Sequence, residues 1–309
     1  MKAVRYEQYG PPEVLQIVDL PKPELTQDQV LIRIHATTVT AGDWRMRKPD
    51  PQAARLYNGL FAPHKVQVLG FEVAGVVEEV GGQVSRFKVG DEVYGPTGLL
   101  FGGYAEYICL PENGTEKTGF AAIMPTNLRF EEAAAVPTGA LAALNLLKMG
   151  GITPGMKVLV IGASGSVGSY ALQLVRYHGC QVDGVCGSHN VDLVKDLGAE
   201  NVYDYSRSDF RKSGQQYDLV FDAAGRMISG ITKRGIRNSL TPSGKFVSVE
   251  MSRSDRPQDL ESLTGLIEGG HLLPVIDRVF SLEEIVQAHK YVESGRKSGG
   301  NVVIRVLLA

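Results

Sequence analysis

The sequence predicts an α/β protein in which a β-rich, turn-dense domain is interrupted by an open, doubly wound parallel sheet. Three observations carry this. Up to about residue 120, short alternating runs are broken by Gly and Pro. From residue 157, apolar strands alternate with helical stretches, and from residue 273 strand-like grammar returns. Strand–helix alternation with buried strands gives a parallel sheet covered by helices on both faces. The division expected is 1–124 plus 265–309 for the outer domain and 125–264 for the inner one; 309 residues suit two ordinary domains.

In chain order, residues 1–6 begin a strand, and 30–36 and 75–80 read as strands separated by the turn signals Gly81-Gly82 and Val89-Gly90-Asp91. Residues 49–66 match no periodic pattern and are expected to form a loop. Good helix formers fill 129–135, and 141–149 continues at helical spacing. Then come a strand at 157–161, a helix at 167–178 stopping near Gly179, and a strand at 181–186. A helix at 191–197 ends at Gly198. Residues 201–205, 219–222 and 245–249 read as further strands. A helix at 282–294 and a strand at 302–307 finish the chain.

A hydrophobic share of 43% with 21% charged residues excludes global disorder. The net charge of −2 gives no electrostatic reason to expect nucleic acid or an acidic membrane as partner. Apolar runs such as 158–161 fall far short of the ~20 residues of a membrane span. The N-terminus reads as a strand rather than a signal peptide. Cys109, Cys180 and Cys186 are an odd set without a framework, which points to a reducing, cytoplasmic setting.

The sharpest local signal is Val158-Leu159-Val160-Ile161-Gly162-Ala163-Ser164-Gly165-Ser166-Val167-Gly168. Gly162 suits a tight turn, Gly165 lets backbone N–H groups approach a pyrophosphate, and Gly168 lets the following helix pack close to the strand. The pyrophosphate then meets a helix N-terminus. A glycine-rich turn alone decides little; the flanking strand and helix and the second strand make it a dinucleotide signal. At the tip of that second strand stands Cys186-Gly187-Ser188-His189-Asn190, without the acid an NAD site places there. Asp183 falls mid-strand and reads as a strand residue facing a solvated edge or a helix. Small neutral donors at the tip leave room for a 2′-phosphate, so NADPH is favoured, with NADH left open.

The chain resembles the zinc-independent medium-chain dehydrogenase/reductases, in the quinone oxidoreductase (ζ-crystallin-like) branch, over nearly its full length. Gly70-Phe71-Glu72-Val73-Ala74-Gly75, Val89-Gly90-Asp91-Glu92-Val93-Tyr94-Gly95, Gly103-Tyr104-Ala105-Glu106-Tyr107 and Pro137-Thr138-Gly139-Ala140-Leu141-Ala142-Ala143 carry the likeness. With them go the glycine loop, Phe221-Asp222-Ala223-Ala224-Gly225, Gly244-Lys245-Phe246-Val247-Ser248-Val249 and Gly300-Asn301-Val302-Val303. The resemblance implies a GroES-like catalytic domain plus a Rossmann domain, with the cofactor between them. It also implies a homodimer formed by edge-strand pairing near residues 245–250. Carried over residue by residue, it gives Ser164, Gly165, Ser166, Val167 and Gly168 to the pyrophosphate. Ser188, His189, Asn190 and Tyr205 go to the 2′-phosphate region, and Thr138, Ala224 and Gly225 to the nicotinamide half. Relatives often hold Arg or Lys among the residues matching 188–190 and Lys where this chain has Asn301; losing these cations keeps dual NADH/NADPH use open.

Zinc-dependent relatives place Cys where this chain has Thr40 and His where it has Phe71, and carry a four-cysteine lobe absent here. Thr and Phe offer no thiolate or imidazole, and no two of the six histidines stand at i, i+4, so no metal is expected. Without a Lewis acid, the accessible chemistry is hydride delivery to an already electrophilic carbon of a quinone, enone or enal. Thr40, Tyr57 and Tyr104 are the candidate donors to the developing oxygen. Asp43 is expected to cap a helix through 44–47. The loop at 49–66 is expected to cover the pocket and set substrate choice through Tyr57, Phe61 and Lys65. A short-chain dehydrogenase is excluded, because none of the 12 tyrosines has Lys four residues on. A methyltransferase is disfavoured by the β-rich half before residue 120. A non-catalytic NADPH-binding scaffold or redox sensor of the same fold stays as the alternative.

Overall fold

The computed structural model describes residues 1–225 and 235–307. A small hairpin opens the chain, with β1 (Lys2–Arg5) antiparallel to β2 (Gln16–Asp19). β3 (Gln29–Thr38) is the spine of the outer domain. Its alternation buries Val30, Ile32 and Ile34 in one apolar cluster, with Arg33 in water. Two short helices follow, α1 (Ala41–Arg47) and α2 (Ala54–Asn58), then β4 (Glu72–Val80), β5 (Glu92–Pro96), β6 (Tyr107–Pro111) and β7 (Ala122–Ile123). β4 and β6 both pair antiparallel with β3, β5 with β4, and β7 with β5. Register shifts at Leu31/Ile32 and Ile34/Ala36 bend and twist this ladder, as bulges do. The patternless stretch 49–66 is thus not wholly loop: Ala54–Asn58 is helical, and Asn58 is buried with its amide on Tyr6 Oη and the Val66 carbonyl.

α3 (Phe130–Ala134) and α4 (Pro137–Gly150) lead into the inner domain. α4 opens with Pro at N1 and stops at Gly151, whose φ of +72° is the left-handed C-terminal cap. The parallel sheet contains β8 (Lys157–Ile161), β9 (Gln181–Cys186), β10 (Val202–Asp204), β11 (Tyr217–Asp222) and β12 (Leu240–Ser248). Their spatial order is β10-β9-β8-β11-β12. α5 (Ser166–Tyr177) and α6 (Val191–Asp196) make the crossovers on one side of β8. The chain reverses direction across the sheet between β8 and β11. A ligand crevice opens at such a switch point, beyond the carboxyl ends of the strands.

α7 (Pro257–Glu268), β13 (Ile276–Ser281), α8 (Ile285–Glu293) and β14 (Asn301–Arg305) complete the chain. The expected helix at 282–294 begins as a single 3-10 turn, Leu282–Glu284, before α8. β14 runs antiparallel to β3 and parallel to β13, so the tail finishes the outer sheet, which has seven strands among the described residues. Arg305 Nε bonds Glu131 at 2.9 Å, Arg86 pairs with Glu261, and His35 stacks on Phe130 at 4.2 Å, tying the two sheets' elements together.

Candidate active site

The glycine turn stands at the carboxyl end of β8. Gly162 has φ +74°, and a Cβ added at Gly168 would lie 2.1 Å from the Gly162 carbonyl oxygen. Only glycine at both positions lets α5 start directly against the turn. Gly165 is the N-cap of α5 and supplies no capping side chain, so the first-turn N–H groups have no side-chain acceptor. Those groups and the helix dipole favour an anion there. The outer domain's tail reaches the same loop: Gly300 N donates to the Ser164 carbonyl at 2.8 Å, and Lys297 Nζ donates to the Gly300 carbonyl at 2.6 Å. Burial lowers the Lys297 pKa. Sequence reasoning missed this ammonium; the run Lys297-Ser298-Gly299-Gly300 beside a strand was the available signal.

At the tip of β9, Ser188, His189 and Asn190 form one 3-10 turn. Ser188 Oγ donates to Asp204 Oδ2 at 2.6 Å and lies 2.9 Å from Ser206 Oγ. Ser188 is therefore held by a carboxylate from the end of β10, which its hydroxyl keeps below the usual carboxylate range, together with Ser206. Arg207 Nε approaches the same Asp204 oxygen at 3.4 Å and is largely exposed. Tyr205 is exposed, with its hydroxyl beside Gly187. Asn190 Nδ2 donates to Ser164 Oγ at 3.1 Å, and its buried Oδ1 has no partner. Asn301 faces away from this tip. It is buried and bonds the Val275 carbonyl through both N and Nδ2. Asp183 is not on a solvated edge: it is sealed, accepting from Asn201 and from Tyr217 Oη at 2.8 Å.

At the residues expected to face the nicotinamide, Asp222 Oδ1 accepts from the N–H groups of Ala224 and Gly225, fixing that turn beside Gly162. Thr138 is the second residue of α4; its N–H donates to Glu72 Oε2 at 2.7 Å. Thr138 Oγ1 is buried beside that carboxyl without an aligned hydrogen-bond partner. Glu72 also accepts from Thr38 Oγ1 at 2.5 Å. Burial pushes its pKa up to about 7, against these hydrogen bonds.

Thr40, rather than Asp43, is the N-cap of α1. Asp43 is the reciprocal third residue of a capping box, accepting from Thr40 N and Thr40 Oγ1, each at 2.7 Å. Asp43 also accepts from Gly70 N at 2.8 Å. It is wholly buried, and burial lifts its pKa to about 6. Two residues after Thr40, Gly42 lines a cavity of about 290 Å³ together with Arg45, Met46, Tyr57, Phe71 and Phe101. Thr40 is not among its lining residues, although its Oγ1 lies beside Gly42. The Tyr57 hydroxyl donates to the Leu99 carbonyl at 2.8 Å, and Lys65 Nζ sits 3.9 Å above its ring. Phe61 is almost fully exposed and is not among the cavity's walls. Tyr104 does not open into the cavity. It has no exposed surface and its hydroxyl lies 3.1 Å from His289 Nε2, because β4 and the tail close over it. The sequence candidates thus split: Tyr57 lines the cavity, Thr40 stands one step behind its Gly42 wall on Asp43, and Tyr104 stands on the buried side of Asp43.

These residues fit a dinucleotide. The glycine turn leaves a cradle that side chains would fill, and Asn190 Oδ1, on a residue bonded to Ser164 of that turn, is a buried polar atom without a hydrogen-bond partner. They do not fit zinc: Thr40 is committed to Asp43, Phe71 has no donor atom, and Glu72 is committed to Thr38 and Thr138. Among the described residues, no three His, Cys, Asp or Glu side chains converge as metal ligands.

Comparison with known proteins agrees with this geometry. Residues 26–119 match the family described as alcohol dehydrogenase GroES-like domain, and residues 166–270 and 249–304 match zinc-binding dehydrogenase families. The chain is 33% identical to the 2-methylene-furan-3-one reductase of Solanum lycopersicum, over 98% of this chain and 79% of that one. It is 32% identical to the chloroplastic NADPH-dependent alkenal/one oxidoreductase of Arabidopsis thaliana, with the same coverage. Among solved structures, the quinone oxidoreductase from Coxiella burnetii superposes with a TM-score of 0.84 at 29% identity, covering 99% of both chains. With its GroES-like and parallel-sheet halves both accounted for, the chain belongs to the medium-chain dehydrogenase/reductase family, in its quinone oxidoreductase branch.

Proposed function

We propose that the protein is an NADPH-dependent, metal-free oxidoreductase that transfers hydride to quinones or α,β-unsaturated carbonyls, with NADH a poorer donor. The observation that carries this is the occurrence, in one chain, of a glycine turn at the parallel sheet's switch point and a largely apolar cavity in the outer domain lined by Gly42, Tyr57 and Phe71. The names of its relatives, alkenal/one oxidoreductase and quinone oxidoreductase, support the same acceptor class. When bound, the dinucleotide supplies the hydride.

The chain's own residues do the rest. The first turn of α5 and Lys297 hold the pyrophosphate, and Thr138, Ala224 and Gly225 hold the nicotinamide half. Ser188, His189, Tyr205 and Arg207 meet the 2′-phosphate. Gly42, Phe71 and Phe101 exclude water and align the acceptor. Thr40 supplies the proton to the developing oxygen, with Tyr57 orienting the substrate. We further propose a homodimer using the edge strand β12 and a cytoplasmic location, the latter on the three free cysteines; no helix among the described residues is long and apolar enough to cross a membrane.

The test is consumption of NADPH against a panel of quinones and enones, beside NADPH binding measured by fluorescence. Turnover with at least one acceptor class, unchanged by chelators, is expected. Tight NADPH binding without turnover on any acceptor would favour a non-catalytic scaffold instead.

A further inference from the structure

We propose that Thr40 and Asp43 form a two-state proton relay for the reduction, and that Tyr104, His289 and Arg47 are positioning residues that hold Asp43 for it. The proposal rests on the hydride-transfer reading above and goes on to name where the proton is stored. Arg47 has no exposed surface, and its guanidinium is fixed by the Gly10 carbonyl and the Glu293 carboxylate. Its Nε donates to His289 Nδ1 at 3.5 Å, which leaves the imidazole proton on Nε2, facing Tyr104 Oη at 3.1 Å. Tyr104 accepts that bond and turns its own hydrogen to Asp43. Asp43 collects the end of this chain together with Gly70 N, Thr40 N and Thr40 Oγ1. Every donor points toward one sealed carboxyl group, and its remaining neighbour, Thr40, is only half-buried, with Oγ1 beside Gly42, a residue that lines the cavity.

The hydroxyl of Thr40 then has two settings. While Asp43 is ionised, Thr40 gives its hydrogen to Oδ2 and offers the cavity only lone pairs. Once Asp43 is protonated, Oδ2–H donates to Thr40 Oγ1, and the Thr40 hydrogen is released toward the acceptor. Only the second setting can complete the reaction. The acceptor carbon gains the hydride, with its electron pair, from the dinucleotide, which is oxidised. The acceptor oxygen forms an O–H bond as the Thr40 O–H bond breaks. Thr40 recovers a proton from Asp43, which is left as a carboxylate. After product leaves, water entering the cavity reloads Asp43 through Thr40; Tyr104 and His289 give it no other route to solvent.

The ionisable groups facing Asp43 are Tyr104, Tyr6 and Glu72, with Arg47 acting on Tyr104 and Tyr6. Glu72 opposes the carboxylate. Burial dominates, which places the loaded state below about pH 6. His289 is kept neutral by burial and by Arg47, so it does not titrate with Asp43.

The experiment pairs single-turnover hydride transfer from pH 5 to 9 with infrared titration of the protonated carboxyl band in the unliganded protein. In wild type, the rate should fall about tenfold per pH unit above the Asp43 titration. Asp43→Asn, whose amide donates at every pH, should lose both that falling limb and the titrating band. Tyr104→Phe should move limb and band together to higher pH, because one donor to the carboxylate is gone. Thr40→Val should lose about a hundredfold in rate, and Thr40→Ser should retain it. A merely structural Tyr104 would lower the rate without moving the limb. An Asp43→Asn variant keeping the wild-type limb, no band that moves with Asp43, or a Thr40→Val rate equal to wild type would each overturn the proposal. If no acceptor is reduced, the functional reading fails alone, because the infrared titration still reports whether Asp43 is loaded as described. If Tyr104→Phe does not fold, the Thr40 pair and the wild-type band decide the matter.

Discussion

Glu72 is a carboxyl group with no access to water, placed where β4 meets the first turn of α4, and its replacement by Gln makes a quantitative test of what holds the two halves together. Its pKa in the folded protein is about 7, against an ordinary value of 4.5, with burial the principal cause. Folding therefore favours the protonated form. The associated stability is fully present below pH 4.5 and disappears as pH rises through about 7, above which the cost of the buried charge is constant. At 1.36 kcal/mol per unit, the rise corresponds to about 3 kcal/mol. The side chain introduced by Glu72→Gln cannot ionise, yet its carbonyl can still accept from Thr138 N and its amide can donate to Thr38 Oγ1. Between pH 5 and pH 8, urea unfolding should cost wild type about 2.5 kcal/mol more stability than Glu72→Gln, the rest of the effect being already lost at pH 5. Asp43 also titrates in this window and is common to both proteins, so the difference isolates Glu72, apart from their mutual repulsion. Parallel stability curves for the two proteins would show that Glu72 is hydrated or ionised throughout, and the reasoning about its burial would be wrong.

Three further outcomes follow from the geometry. Gly168→Ala forces a Cβ onto the Gly162 carbonyl and should cost ~1–3 kcal/mol in thermal unfolding while abolishing dinucleotide binding measured by fluorescence titration. Arg207→Ala should weaken NADPH about tenfold and leave NADH unchanged, the loss of one charge-assisted contact, and Ser188→Asp should invert the preference; unchanged ratios of dissociation constants would misplace the 2′-phosphate. Arg47→Leu removes a sealed guanidinium and strands the Gly10 carbonyl and Glu293, so a loss of about 3 kcal/mol in urea unfolding is expected.

The fold was legible because its signals are periodic and local. The apolar strand at 157–161, the three glycines after it and the helix at 166–177 each appear in the residues themselves, and boundary differences of a residue or two arise where caps fray. Residues 54–58 were missed because Ala54-Arg55-Leu56-Tyr57-Asn58 is too short to display a helical period. The candidate site was legible at the glycine turn, where a backbone motif fixes the geometry, and poorly legible around Asp43. Asp43 looked like a simple cap; its engagement with Gly70, Tyr104 and, through Tyr104, His289 depends on pairings remote in sequence that no local pattern encodes. The burial of Tyr104 was illegible for the same reason: a phenol in a turn-rich stretch gives no sign of whether a remote helix will cover it. Asp204 and Arg207 come from the end of β10, a three-residue strand whose side chains reach the tip of β9 only once the sheet has formed.

The pairing of Val303 with Thr38 in the outer sheet has a consequence for biosynthesis. These partners lie far apart in sequence with the whole inner sheet between them, so β14 can dock on β3 only after that intervening chain has been made. The inner parallel sheet is complete in sequence well before that and can consolidate while the earlier strands still wait. Thr40 follows β3 immediately, whereas His289 comes with α8, after the inner sheet is complete in sequence. The parallel-sheet half is therefore expected to consolidate before the cluster of Thr40, Asp43, Tyr104 and His289 is assembled.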